Sequence, residues 1–324
     1  MLKVAIVSGG YSSEYNVSIQ SGLTVYKNLN TSKYDPYLII INPDNWVLKR
    51  DNGDEIALNR EDFSVVVNGE HLKFDYVFIA IHGDPGENGV FQEYLDQLNI
   101  PYSTCGVSTS QLTFDKDACK AYFSDTEVKL AKSMMVKKGE KFDADAILNI
   151  VGLPCFVKPN NGGSSCGISK VKAASELHAA LELGFSEDDE VMVEEFIDGR
   201  EITCGVYKAD RKPIALAITE IVTENEFFDY EAKYTAGKSD EITPADIPST
   251  LAAECERLSI FMYEHLNCRG LCRFDFIVQN DELYYLEVNT VPGLSPASII
   301  PKQAEASGIE LGDLFSMVIE ETCA

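Results

Sequence analysis

Over the first hundred residues short apolar runs alternate with stretches of helical spacing, an order that few folds accept. Residues 4–7 (VAIV) read as a buried strand ending at Gly9-Gly10. Ile19, Leu23, Tyr26 and Leu29 keep a helical spacing, and residues 37–41 are again strand-like. Residues 76–81 (YVFIAI) form a further strand, which leads through His82-Gly83 into a helix over 90–98. Strands alternating with helices predict a small parallel α/β domain, whose ligands approach the carboxyl ends of the strands.

The pattern changes after Pro101. Helices are expected over 108–124, 143–150 and 175–184, with short strands at 132–137 and 155–158 and a glycine-rich stretch at 160–167. From Val191 the chain becomes largely β, at 191–197, 202–207 and 214–222. A helix over 250–267 follows, then a hairpin of strands 271–278 and 283–289, and a last helix over 310–321. Residues 224–248 are polar and aperiodic; a loop that long is usually an active-site lid or disordered.

Charge narrows the function. In 324 residues, 27 Lys and Arg stand against 52 Asp and Glu, a net charge of −25. Such a chain repels phosphate backbones and anionic membranes, which disfavours nucleic-acid and membrane-surface roles. Nine cysteines without regular spacing do not read as a secreted disulfide framework. No apolar run is long enough to span a bilayer, and the start does not read as a signal peptide, so a cytoplasmic protein is expected.

Arg273-Phe274-Asp275 and Glu287-Val288-Asn289 hold the densest chemistry. Side chains two apart on a strand share a face, so Arg273 points with Asp275 and Glu287 with Asn289. With a loop at Asn280-Asp281-Glu282, antiparallel pairing sets Asp275 opposite Glu287 and Arg273 opposite Asn289. Two carboxylates and an amide oxygen on one face suit a hard cation such as Mg²⁺, while the plainer reading is a solvated polar face with cross-strand pairs. The opposite face (Phe274, Phe276, Val288) is apolar, and two adjacent carboxylates repel unless a cation intervenes.

The stretch from Lys158 to Gly167 offers backbone N–H groups to phosphates and one lysine at a strand end. It is not a P-loop, because Ile168 stands where the lysine is required. Gly163 to Gly167 around Ser165 formally matches G-x-S-x-G, but the expected strand after it argues against a nucleophile elbow. A plain flexible loop also fits. Glu14 either faces a ligand ammonium group or, more simply, favours the start of the following helix. His82 reads equally as a hydrogen-bonded structural residue. Cys268 and Cys272 lack a second pair at zinc spacing, His71, His178 and His265 are isolated, and Trp46 reads as packing.

In order along the chain, GGYSSEYNVS (9–18), IHGDPGENG (81–89), FVKPNNGGSSCGISKV (156–171), FFDYEAKY (227–234), CRFDFI (272–277) and LEVNTVPGLSPAS (286–298) resemble the D-alanine–D-alanine ligase family of the ATP-grasp superfamily. The resemblance implies an α/β N-terminal domain (1–104) and an α+β ATP-grasp fold. Its two subdomains, 105–190 and 191–324, would clasp ATP between antiparallel sheets. It also implies ligation of two D-alanines through a D-alanyl phosphate, for peptidoglycan precursors, by a homodimer. Asp275, Glu287 and Asn289 would hold two Mg²⁺ or Mn²⁺ ions, and Lys116, Lys158 and Lys233 would contact ATP phosphates, with Ser165 also at the nucleotide. Glu194, Glu195, Phe196 and Ile197 would form the adenine hinge and Glu201 would bind the ribose. Glu14 would take the first ammonium group, with His82 near that substrate. Arg273 and the backbone of Gly293 would stabilise the tetrahedral intermediate, while Ser298 and the Ile299 N–H would hold the second carboxylate. Ser164 and Tyr234 would tie a lid (about 224–240) over the site. Phe228, where tyrosine is frequent, and Pro296-Ala297 depart from the pattern. Rival readings are a related ligase with D-lactate or D-serine as acceptor, a serine hydrolase using Ser165 and His265, and a nucleotide-binding regulator without catalysis.

Overall fold

The strand β1 (Leu2–Gly9) is buried from Val4 onward, so its sheet needs cover on both faces. The computed structural model describes residues 1–163, 166–223 and 239–323; Ser164, Ser165, Phe228, Lys233 and Tyr234 lie outside the described residues, as does most of the expected lid. After β1 come α1 (Tyr15–Asn28), β2 (Tyr34–Ile41), β3 (Trp46–Lys49), β4 (Glu55–Asn59), β5 (Ser64–Val67), β6 (Glu70–Leu72), β7 (Tyr76–Ile79) and α2 (Val90–Gln97). The seven strands form one sheet in the order β6-β5-β4-β3-β2-β1-β7. β1 pairs in parallel with β2 and β7, and Val77 on β7 bridges Tyr102 in parallel; β2 through β6 are antiparallel, which corrects the all-parallel expectation to a mixed sheet. Strands of three to five residues hardly show an alternation. One signal was present: Asn68-Gly69, with φ of 53° and 84°, makes the tight turn between β5 and β6.

The single helix expected over 108–124 is two, α3 (Val107–Phe114) and α4 (Lys116–Phe123). Asp115 leaves helical geometry between them, and its carboxylate accepts the Ala118 N–H at 2.9 Å to cap the second. The strand β8 (Lys129–Leu130) then runs to a distant sheet. A second sheet is built from β9 (Ser133–Lys137), β10 (Cys155–Pro159), β11 (Ser169–Val171) and β12 (Glu190–Glu195), all antiparallel in the order β11-β10-β12-β9. Its covered face packs Val157, Val191 and Val193 against α5 (Ala144–Val151) and α6 (Leu177–Gly184).

The third sheet contains β13 (Arg200–Ala209), β14 (Lys212–Thr223), β15 (Ser239–Ile242), β16 (Cys272–Gln279) and β17 (Glu282–Asn289), in the order β15-β14-β13-β16-β17-β8. The strand β15 pairs with β14, so residues 239–242 of the expected 224–248 loop are strand. One face of α7 (Ser249–His265) carries Leu251, Leu258 and Met262 onto Ile202, Phe274 and Phe276. Two helices close the chain, α8 (Ile299–Ala306) and α9 (Leu311–Thr322). The first was not anticipated; its Pro301 falls in the opening turn, where a missing N–H costs nothing. The second packs back on the first sheet, with Phe315 edge-on to Phe78 at 5.5 Å.

The β16–β17 hairpin reaches the expected register by an unexpected route. Its turn is two residues, Asn280-Asp281, both at positive φ (51° and 61°), and Gln279 pairs with Glu282. Leu286 then bulges out as one extra residue, shifting the pairing so that Asp275 meets Glu287 and Arg273 meets Asn289. Among the described residues, no helix is long and apolar enough to cross a membrane.

Candidate active site

The second and third sheets enclose a cavity of about 500 Å³. Lys116, Lys158, Glu194, Glu195, Phe196, Ile197, Glu201 and Glu287 all line it, so these expected nucleotide and metal contacts meet in one place. Strand alternation brings Lys158 on β10 beside Glu194 on β12. Glu194 pairs at 2.5 Å with both Lys158 and Lys120, and all three side chains are less than a tenth exposed. Burial would raise the Glu194 carboxyl, but the two lysines outweigh it and hold it below the usual range. Burial in turn lowers the Lys120 ammonium. Two ammonium groups against one carboxylate leave the trio cationic, which suits an anionic ligand. Lys120 escaped the sequence reading, although it lies one helical turn from Lys116 on α4. Lys116 itself turns to the glycine-rich loop, donating to the Gly162 carbonyl at 2.8 Å. Phe196 offers an apolar wall, with the Lys170 ammonium 3.7 Å from its ring centre.

At the hairpin, Asp275 is 2% exposed and fully engaged. Arg273 donates to both of its oxygens, from Nε at 2.8 Å and Nη2 at 2.7 Å, and Asn289 donates from Nδ2 at 3.0 Å. Thr203 on β13, not foreseen, donates its hydroxyl to the same carboxylate. Burial alone would lower the Arg273 guanidinium; the adjacent Asp275 charge outweighs it and raises it above its ordinary value. Glu287 faces Asp275 across the pair and lines the cavity. The amide nitrogen of Asn289 points to Asp275, so its oxygen faces away. Glu287 offers a hard oxygen donor at the cavity, and the donor types of Asp275 and Asn289 suit Mg²⁺ or Mn²⁺, but ion binding by these two requires their mutual hydrogen bond to open.

A second group of candidate residues gathers at the carboxyl end of the first sheet. Glu14 occupies the N-cap position of α1, where its charge favours the helix start, but its side chain makes no capping bond. A Cβ placed on Gly163 would lie 2.9 Å from Glu14 Oε2, and one on Gly83 3.5 Å from it, so three loops close around this carboxylate. His82 is 5% exposed. Its Nδ1 lies 2.7 Å from the Val291 carbonyl, which can only accept, so Nδ1 carries the hydrogen. Nε2 then accepts from the Ser21 hydroxyl at 2.9 Å, and Ser21 Oγ accepts the Leu294 N–H at 3.1 Å. Burial lowers the pKa of His82 and keeps the ring neutral, against the opposing pull of Glu14. Glu87, also missed, accepts the Gly83 N–H at 2.8 Å. Burial, with the Glu14 charge second, pushes its carboxyl up to about 8.

Gly293 and Ser298 meet: a Cβ on Gly293 would lie 2.7 Å from Ser298 Oγ. Ser298 is the N-cap residue of α8 and Ile299 its first residue. The Ile299 N–H therefore has no partner within the helix and points from an anion-favouring terminus. The hydrolase reading loses its frame: β11, not a helix, follows the glycine-rich loop, and His265 stacks on Phe123 and Phe261 at the end of α7.

Residues 3–105 match the model of the D-ala D-ala ligase N-terminus, and residues 123–320 that of the D-ala D-ala ligase C-terminus. The chain belongs to the D-alanine–D-alanine ligase family. A D-alanine–D-alanine ligase of Flavobacterium johnsoniae is 47% identical over 326 residues, all of both chains. Among solved structures, the VanG D-Ala:D-Ser ligase of Enterococcus faecalis is 31% identical, with 99% of each chain covered and a TM-score of 0.86. The Bacillus anthracis D-alanine–D-alanine ligase complexed with ATP is 30% identical, covering 99% of this chain and 97% of that one at a TM-score of 0.80. The fold is accordingly an α/β N-terminal unit joined to an ATP-grasp fold, and the family's members are ATP-dependent, ADP-forming ligases.

Proposed function

We propose that the chain joins two D-alanines at the expense of ATP, with the nucleotide between the second and third sheets and the amino acids between β16–β17 and the Glu14 group. A carboxylate does not condense with an amine in water, because its carbonyl is unreactive and hydroxide is a poor leaving group. Phosphorylating the first D-alanine carboxylate makes an acylphosphate that the second amine attacks. The site must hold triphosphate charge, exclude water and stabilise the developing oxyanion. In an acidic chain, local cations do this: Lys158 and Lys116 face the phosphates, and Glu194 with Lys120 fixes Lys158 in position. The hinge Glu194-Glu195-Phe196-Ile197 takes the adenine, with the Glu194 side chain turned to the lysines, and Glu201 takes the ribose.

Glu14 receives the first ammonium group, and neutral His82 shapes the wall beside it. Arg273, locked by Asp275 in a two-point pair, presents its remaining guanidinium N–H groups to the tetrahedral intermediate with the Gly293 backbone. Ser298 and the Ile299 N–H take the second carboxylate. Asp275, Glu287 and Asn289 would hold the divalent ions, whose chemistry is to neutralise phosphate charge. Lys233, Ser164, Ser165 and Tyr234 keep their expected lid and nucleotide roles in this reading, and a homodimer is part of it, checked by sedimentation.

The observation that carries the proposal is the shared face of Arg273, Asp275, Glu287 and Asn289, which reaches through Glu287 to a cavity also lined by the buried Lys158–Glu194 pair. The experiment is phosphate release with ATP and D-alanine, each omitted in turn, with D-serine and D-lactate as alternative acceptors. Release that requires both ATP and D-alanine is expected. Release with ATP alone, or none with any acceptor, overturns it.

A further inference from the structure

Cys268 and Cys272 were set aside in the sequence for want of a second pair, yet the fold brings Cys105 to them. Cys105 follows the first sheet, Cys268 lies between α7 and β16, and Cys272 opens β16. Their three Sγ atoms all lie within 4.8 Å of one another, and each residue is at most 1% exposed. Cys105 Sγ is 3.6 Å from Cys272 Sγ. Thiolates bound to one metal at about 2.3 Å in tetrahedral directions are about 3.8 Å apart, so the trio is spaced for a shared ion. The frame is fixed from both sides. A Cβ on Gly270 would lie 1.9 Å from the Ser103 carbonyl, so only glycine lets the 267–271 loop approach residues 103–105 this closely. The Tyr263 hydroxyl then ties the Gly270 carbonyl at 2.8 Å.

We infer that Cys105, Cys268 and Cys272 form a buried three-thiolate site for a soft metal ion, of the Cu(I) or Zn²⁺ class, separate from the catalytic cations. Hard ions such as Mg²⁺ are excluded by the sulfur donors. Binding releases the three thiol protons as three metal–sulfur bonds form. The Arg269 backbone N–H donates to Cys105 Sγ at 3.5 Å and helps hold that sulfur toward the other two. The Arg269 carbonyl, 3.5 Å from Cys105 Sγ, offers a fourth donor for zinc, whereas Cu(I) is content with three sulfurs. Because Cys272 directly precedes Arg273, an ion here would pin the root of β16 to the N-terminal half of the chain.

The test uses reduced full-length protein, loaded without oxygen with Zn²⁺ in one arm and Cu(I) in another, then desalted through a chelator. About one ion per chain is expected to survive in at least one arm, with about 2.3 Å sulfur neighbours by X-ray absorption. Three sulfurs alone identify the copper class, and three sulfurs with one oxygen the zinc class. Cys105→Ala and Cys268→Ala are expected to lose the ion, whereas Cys119→Ala, whose Sγ contacts the Tyr285 hydroxyl instead, keeps it. No retained ion in either arm overturns the inference, as does retention by Cys268→Ala at the parent's level. Where the alanine variants do not fold, the absorption spectrum of the parent decides, and a shell of oxygen and nitrogen overturns it.

Discussion

Around the cavity between the second and third sheets the charged groups sit on regular elements, Lys116 and Lys120 on α4 and Lys158, Glu194 and Glu287 on strands. At the hairpin a spacing of two residues carries Arg273 with Asp275, and Glu287 with Asn289, to one face. At the end of the first sheet a comparable set is collected from loops. His82 bonds to Val291, 209 positions away, and Ser21 to Leu294, 273 positions away. The first region presents formal charges to a large opening; the second neutralises its histidine and one of its two carboxylates and wraps them in backbone and hydroxyl groups. The difference matches the ligands proposed for each, a polyanion held by charge and a small zwitterion held by shape and hydrogen bonds. It also divides the variants into those that break a charge balance and those that break a scaffold.

The largest effect is expected from Glu194→Gln. It leaves Lys120 and Lys158 buried without their carboxylate, and breaking a buried pair this way costs about 3–5 kcal/mol. A urea midpoint that hardly moves would show that the lysines are solvated and that the cavity floor is not a charge balance. Arg273→Ala comes next. Removing a donor aimed at a developing oxyanion lowers kcat by about 100- to 1000-fold. ATP affinity, measured by calorimetry, should change little; if binding falls as far as turnover, Arg273 serves the nucleotide rather than the intermediate. Ser21→Ala tests the other region. It strips one partner from His82 Nε2 and one from the Leu294 N–H, a loss of about 1–3 kcal/mol for a buried group left unpaired. KM for D-alanine should rise while KM for ATP holds, and a reversed split would place the Ser21 network under the nucleotide.

The same division explains what could be read before the fold was known. Period-two spacing is local, so the hairpin face of Asp275 and Glu287 was legible, and its register came out right although the turn is shorter than expected. The Leu286 bulge made good the difference, and bulges carry no sequence mark of their own. Lys120 had a local mark, one turn from Lys116, that went unused. Thr203 and Glu87 had none, since their roles exist only once β13 lies beside β16 and once the 81–89 loop folds over Glu14. The short strands β3 to β6 failed for a further reason: a run of four residues cannot establish an alternation, and only Asn68-Gly69 betrayed the antiparallel turn. The Cys105 cluster spans 167 positions from first to last thiol and was beyond any spacing rule.

The smallest effect, and the sharpest on the scaffold side, is the pH dependence at Glu87. Its carboxyl is raised from an ordinary 4.5 to about 8 by burial and by Glu14. Between those values the unfolded chain releases this proton and the folded chain keeps it, so the group's contribution to stability is full below 4.5 and is lost as pH rises toward 8. His82 slopes the other way. Its pKa is lowered from 6.5, so its contribution is present above that value and is lost as pH falls through the depressed one. A single stability profile mixes the two, and a difference profile separates them. Glu87→Gln keeps the shape of the protonated carboxyl but cannot ionise, so the variant should gain on the parent steadily from about pH 5 to about pH 8. Urea midpoints for both proteins across that range decide it. Parallel curves would mean that Glu87 is already ionised and solvated, and that the Glu14 group carries two charges rather than one.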